Sequence, residues 1–380
     1  MKFVDEYRDP VIARQLLAEI RNLTTRRWVL MEVCGGQTHG LLRSGIVEEL
    51  EGSLELIHGP GCPVCVTAIE SIDFAQELAL RPDCVVTSFG DMLRVPGSRD
   101  SLLAVRARGG NVRIVYSPLD AVELARQNPS QQVIFLAVGF ETTAPATALA
   151  VLQAAQLKLK NFTLLVAHVR VQPAMESLLR ADDCRIQGFL AAGHVCTVLG
   201  FNSYMELSER YHVPIVVTGF EPVDLLSGIK ACVQQLEAGQ ATVCNQYTRN
   251  VRESGNTDAI RIMSQVYQIA DQTWRGLGLI PAGGLVLRPE WRQFDADYRF
   301  TRMIDSLPIA PTECLSGDVL AGRIKPAACP SFGTRCTPEA PLGAPMVSSE
   351  GACAAYYRHR RHCSPGTVSF VDSDNSASAT

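Results

Sequence analysis

Val133-Ile134-Phe135-Leu136-Ala137-Val138-Gly139-Phe140-Glu141-Thr142-Thr143-Ala144-Pro145 decides the fold. Six apolar residues run without a polar interruption, and a glycine then leads into Thr-Thr-Ala-Pro, residues natural to the first turn of a helix. A strand that is apolar on both faces is buried on both faces, as in parallel sheets covered by helices.

Working outward, the same strand-then-helix pattern recurs at 28–33, 54–58, 84–89 and 113–117 before this stretch, and at 163–168, 186–191 and 214–219 after it. The two fourth units share local text, Ser117-Pro118-Leu119-Asp120 answering Glu221-Pro222-Val223-Asp224. The expected fold is therefore α/β: two similar parallel-sheet (βα)4 domains side by side, over 26–124 and 125–240. Residues 1–25 read as a helical segment packed on the C-terminal region. From 241 to 363 a helical and cysteine-rich domain follows, with 254–278 helical and Pro, Gly, Ser and Cys prominent from Pro308 onward. A bound metal can replace the missing apolar core of such a segment. The Ser- and Asp-rich stretch 364–380 reads as a disordered tail.

Bulk properties exclude several function classes. The 380 residues carry a net charge of -4, which offers no basic surface for nucleic acid or an anionic membrane. The longest apolar runs are about eight residues, well short of the roughly 20 that a membrane helix needs. The N-terminus lacks the apolar core of a secretion signal, so a cytoplasmic location is expected. There is neither a phosphate-binding Gly-x-x-x-x-Gly-Lys loop nor a Gly-x-Gly-x-x-Gly dinucleotide turn. Thirteen cysteines in such a chain point to metal or redox chemistry more than to disulfides. Cys84, Cys184, Cys232 and Cys244, outside any motif, read as buried packing residues.

The remaining cysteines are grouped. Cys34-Gly35-Gly36-Gln37-Thr38-His39 follows the first strand, and Gly59-Pro60-Gly61-Cys62-Pro63-Val64-Cys65 follows the second. Ligand-binding loops of open α/β sheets lie at such strand ends. A cysteine opening a helix is expected to have its thiolate favoured by the free N–H groups there, which qualifies Cys34, Cys62 and Cys65 as nucleophiles or ligands. The Cys62-x-x-Cys65 spacing suits a dithiol/disulfide couple or two legs of a metal site. His39 is either a turn-filling residue or part of the site. Glu141 and Thr142, and Glu221 in the corresponding later loop, are either helix caps or polar groups at a cleft. His168 and the loop Gly193-His194-Val195-Cys196 end two further strands and are open to the same two readings. Cys314, Cys329, Cys336 and Cys353 offer four soft ligands, spaced for zinc or for a [4Fe–4S] cluster, the loose spacing tilting toward the cluster.

Together these motifs resemble the HypD family of hydrogenase maturation proteins from the first strand to about Tyr357. The resemblance rests on CGGQTH at 34–39, GPGCPVC at 59–65, FGDMLRVPG at 89–97, GFETTAP at 139–145, and the segment from Cys314 through FGTRCTP (332–338) to MVSSEGACAAYY (346–357). It implies a scaffold with redox activity on which an iron ion acquires two cyanides and one carbon monoxide before transfer to the large subunit of a nickel–iron hydrogenase. By the same resemblance Cys314, Cys329, Cys336 and Cys353 would hold one [4Fe–4S] cluster. Cys34 would hold the nascent iron with a small HypC-type partner, and a HypE-type partner would donate cyanide. Electrons could pass between the cluster and Cys62/Cys65, His39 would tune the iron site or move protons, and Glu141 and Thr142 would orient the incoming ligand. The chain departs from the family in having Gln172-Pro173 where two prolines are usual, and in the additional Cys363. The competing readings are a stand-alone iron–sulfur-dependent disulfide reductase using Cys62/Cys65, and a zinc-stabilised binding module.

Overall fold

The computed structural model describes residues 5–302 and 313–360, so the expectations for 364–380 and for Cys363 lie outside the described residues. Strands form where the apolar runs lie: β1 (Trp28–Glu32), β2 (Leu54–His58), β3 (Cys84–Ser88), β4 (Val112–Ile114), β5 (Gln132–Gly139), β6 (Phe162–His168), β7 (Gly188–Ala192) and β8 (Ile215–Thr218). All pair in parallel, as expected for an α/β fold. Alternate residues of each strand face opposite cores. Leu30, Leu190 and Val216 enter one apolar cluster while Met31, Phe189, Ala191 and Val217 enter another. In the second sheet, Ile134 and Leu136 face one cluster, and Val133, Phe135 and Ala137 the other. Helices cover both faces, which is why the central strands have no exposed side, while edge strand β4 leaves Arg113 and Ile114 exposed.

The strands are shared out differently from the expected 26–124 and 125–240. One sheet has the order β2-β1-β7-β8-β9, with β9 at Val243–Asn245, and the other β4-β3-β5-β6. The chain leaves the first sheet after β2, builds the whole of the second, and returns at β7. The expected boundary at 124/125 falls between β4 and β5, inside the second sheet, where Cys84–Thr87 of β3 register with Gln132–Phe135 of β5. Strand spacing along the chain reports that strands exist, and it is silent about which ones pair.

Two further expectations are corrected. Only Thr257–Val266 of the 254–278 stretch is helical; Tyr267–Trp274 (β10) and Gly278–Leu287 (β11) form an antiparallel hairpin. The apolar residues Ile262, Val266, Ala270 and Trp274 keep a four-residue spacing that imitates a helix face. Gly276, at φ +84° in the connecting turn, takes a backbone conformation open to few other residues and lets the chain double back. The hairpin joins the two halves, with Trp274 in a core of the first sheet and Tyr267, Leu285 and Leu287 in a core of the second. Region 241–302 thus belongs to the sheets.

The second correction concerns the N-terminal segment. Helix α1 (Pro10–Leu23), capped by Asp9, packs chiefly on helix Pro222–Glu237 beside the first sheet. Its stripe of Ala13, Leu17 and Ile20 is buried there, and Glu19 meets Lys230 at 2.7 Å. The cysteine-rich segment 313–360 is built of short turns of helix, ending in Ala352–Arg360. Among the described residues no helix is long and apolar enough to cross a membrane.

Candidate functional site

The order β2-β1-β7-β8 sends the chain outward from β1 on one side and from β7 on the other. Loops following two such neighbouring strands diverge and leave a crevice between them. Cys34 and His194 lie at these two strand ends, and their Sγ and Nδ1 are 3.4 Å apart across 160 residues of sequence. Phe220, after β8, stacks on His194 with ring centroids 5.5 Å apart.

Cys34 is the N-cap residue of helix α2 (Gly35–Arg43), in extended backbone geometry. The expectation of a favoured thiolate needs correction. Burial pushes the Cys34 thiol well above its usual range, with Glu32 and Glu350 adding to the rise; the N–H groups of Gln37 and Gly36 oppose it and lose. The loop after β2 is folded over this position. Gly35 N–H donates to Gly61 O at 2.9 Å, and Gly59 N–H to Glu32 O at 2.8 Å. A Cβ at Gly61 would lie 2.6 Å from the carbonyl carbon of Cys34 and closer still to its N, so the approach requires glycine.

Cys62 caps the short helix Pro63–Val66, and Cys65 lies within it. Both are buried and free. Burial also pushes the Cys65 thiol up, followed by the neighbouring Cys62 and by the nearby Cys353 and Glu350. The pair therefore faces the cysteine-rich segment. Arg275, in the turn between β10 and β11, lies near both Cys65 and Cys314, and burial lowers its pKa.

Cys314, Cys329, Cys336 and Cys353 line one pocket, walled by Leu315, Val319, Phe332, Leu342 and Met346. Burial raises the Cys353 thiol, and Cys314, Cys336 and Cys329 each raise it further, as expected of sulfurs gathered in one place. Four thiols within an apolar wall are a donor set suited to a soft-metal group shielded from water. Among the described residues, no three His, Cys, Asp or Glu side chains converge as they would on a single metal ion.

The other sequence candidates fall around this centre. His39 lies five positions beyond Cys34, about 140° round the helix. It faces the C-terminal helix, its Nδ1 3.3 Å from His359 Nε2, and burial lowers its pKa. Glu141 is buried after β5 and accepts from Val171 N–H at 3.2 Å; burial pushes its carboxyl up to about 7. Its charge raises the thiol of Cys196, so it faces the helix that carries His194. Thr142 beside it is half-buried. Glu221 is a helix cap, forming a reciprocal capping box with Asp224. His168 belongs to the core, donating from Nδ1 to Gly139 O at 3.2 Å and meeting Thr147 Oγ1 at 2.7 Å. Cys84 and Cys232 are buried, whereas Cys184 and Cys244 are half-buried.

Sequence reasoning passed over Glu32, His58, Tyr356 and Arg275. Glu32 and His58 do leave a trace, as ionisable residues at the buried ends of largely apolar strands, where burial requires a partner.

Comparison with known proteins places the chain in a family. The HypD family model, described as the hydrogenase formation hypA family, matches residues 11–360. The chain is 46% identical over 370 residues to the hydrogenase maturation factor HypD of Rhodobacter capsulatus, covering 94% of this chain and 98% of that protein. It is 44% identical over 369 residues to the factor of the same name from Escherichia coli strain K12, covering 95% and 99%. Over 370 residues it is 45% identical to the hydrogenase expression/formation protein HupD of Azotobacter chroococcum mcd 1, covering 95% and 97%. The chain belongs to the HypD family of hydrogenase maturation factors.

Proposed function

We propose that the chain is a cytoplasmic scaffold with redox activity that assembles an iron ion bearing two cyanides and one carbon monoxide for a nickel–iron hydrogenase. It works with a HypC-type small protein and a HypE-type cyanide donor, and serves the hydrogenase large subunit after transfer. The observation that carries this reading is the position of Cys34 in the crevice between the β1 and β7 loops, with a second cysteine pair and the cysteine-lined pocket on the same side.

Cys34 offers a soft thiolate to the incoming iron, the partner a second one. Loading the iron displaces the proton that burial keeps on this thiol. Burial pushes the pKa of His194 down to about 4, so the ring is neutral. A ring so hard to protonate orients the thiol through Nδ1 and is a poor acceptor of its proton. Cys314, Cys329, Cys336 and Cys353 would hold a [4Fe–4S] cluster, which supplies single electrons when bound. Cys62 and Cys65 release two electrons and two protons on closing to a disulfide. Glu141 and Thr142 orient the incoming ligand from the second sheet, and His39 tunes the site from the side of the C-terminal helix.

Anaerobic co-purification with the HypC-type partner, followed by infrared spectroscopy, tests the reading. Iron-bound cyanide and carbon monoxide bands are expected in the native complex and are lost in Cys34→Ala. A complex that lacks these bands but reduces disulfides through Cys62 and Cys65 would overturn the scaffold in favour of a stand-alone reductase. The closeness of those two buried thiols, only three positions apart in and before one short helix, keeps that second reading in play.

A further inference from the structure

Glu32 and His58 are register partners at the C-terminal ends of β1 and β2. Both side chains are only 1% exposed, and Glu32 Oε1 lies 2.7 Å from His58 Nδ1. The other carboxyl oxygen of Glu32 accepts from Cys34 N–H at 2.8 Å, and Oε1 also accepts from the hydroxyl of Thr38, one turn into α2. On the far side of the imidazole, His58 Nε2 lies 3.0 Å from the hydroxyl of Tyr356, a fully buried residue. The two rings meet edge to face, 5.2 Å apart. Tyr356 stands on helix Ala352–Arg360, three residues beyond Cys353.

One buried hydrogen-bonded chain therefore runs from the backbone N–H of Cys34 to the helix that bears Cys353. With Nδ1–H donating to Glu32, a neutral imidazole leaves Nε2 to accept from Tyr356, so every member has a partner. Apolar residues would fill these strand positions at lower desolvation cost, as they do at the other buried positions of β1 and β2. A buried polar chain specifies one geometry where an apolar contact would tolerate sliding. We propose that Glu32, His58 and Tyr356 are positioning residues that hold the Cys34 loop in fixed relation to the Cys353-bearing helix, so that the iron at Cys34 and the cysteine-lined pocket keep one separation. This rests on the assembly reading for its purpose. The coupling itself exists with or without iron.

The full chain is examined as native protein, Tyr356→Phe and His58→Leu. Tyr356→Phe deletes one oxygen atom, and carries the test should His58→Leu fail to fold. In the iron-free chain, amide hydrogen exchange over residues 34–38 is expected to rise about tenfold in Tyr356→Phe, the effect of losing one buried hydrogen bond, while β5 and β6 keep their protection. In the anaerobic complex with the HypC-type partner, the iron-bound cyanide bands are expected to shift in Tyr356→Phe. The visible absorption of the C-terminal cluster should stay unchanged, a split that a general loss of stability would not produce. Native exchange at 34–38 in Tyr356→Phe overturns the positioning chain, whatever the infrared spectrum shows. Absence of bands in the native complex, with faster exchange in the variant, overturns the assembly reading and leaves the coupling standing.

Discussion

Cys34 is subject to two opposed influences, and their balance sets its chemistry. Peptide N–H groups at the start of α2 favour a thiolate, while burial and the carboxyl groups of Glu32 and Glu350 disfavour it, and burial is the largest of these. The thiol is thus held protonated, which protects it from casual reaction; in the proposed assembly role the incoming iron would take the proton's place. Glu141 shows the same competition with a consequence for stability. Its unfolded pKa is near 4.5, and burial raises the folded value to about 7. Below pH 4.5 the carboxyl is neutral in both states and its burial costs little. Between the two values the unfolded chain ionises first, so stability falls as pH rises. Above pH 7 the penalty is complete, of order 3 kcal/mol. Glu141→Gln keeps an acceptor for Val171 N–H and cannot ionise. Melting curves across this range should show the variant more stable at pH 8 and the difference vanishing toward pH 4.5. A gap that stays constant with pH would mean that Glu141 does not titrate as its burial implies.

Among the elements, the loop between β2 and helix Pro63–Val66 works as a cover over the start of α2. Gly61 O accepts from Gly35 N–H, and no Cβ fits between Gly61 and the backbone of Cys34. Gly61→Ala must push backbone against backbone, at a cost of about 1–3 kcal/mol. Because the displaced atoms are those of Cys34, iron loading should fall more steeply than stability. Iron content per folded chain, set beside a denaturant midpoint, checks this, and a variant that melts early but loads fully would contradict it. That the glycines of Gly59-Pro60-Gly61 bring backbone into close approach was legible in the sequence; that the partner in this approach is the backbone of Cys34 was not. Also legible were most of β1 to β8, whose apolar runs declare themselves, though β4 lies at Val112–Ile114 and not at 113–117, with Arg113 and Ile114 exposed. The hairpin of β10 and β11 was not, because Val266, Ala270 and Trp274 happen to keep a helical spacing across a change from helix to strand. The hydrogen-bonded chain that runs from Glu32 through His58 to Tyr356 is unreadable for a different reason. His58 and Tyr356 come from 26 and 324 positions away, joined by strand register and helix docking that no local pattern encodes.

For the whole molecule, the decisive fact is that one sheet is inserted within the other. The chain builds β1 and β2, spends residues 84–168 on the second sheet, and only then returns with β7 and β8 to complete the crevice. Cys34 and His194 meet only after that return, so the proposed iron site forms late in the order of the chain, and a parallel pairing this distant is slow to close. The strand rhythm concealed this, since every strand is parallel and every unit looks alike. Against these sheets, with their four large apolar cores, the cysteine-rich segment has a small core of its own around Cys336, Met346 and Ala354. Its order draws on the docking of helix Ala352–Arg360 against α2 and, if the four thiols hold the proposed cluster, on that group as well. Removing iron with a chelator should therefore loosen this segment while leaving the sheets intact. Hydrogen exchange after such treatment should show residues 313–351 exchanging freely, with β5 and β6 still protected. Cys329→Ser, purified without any chelator, should give the same map. If residues 313–351 stay protected in both, the segment holds itself together without a metal, and the cysteine-lined pocket is not the site of its stabilising group.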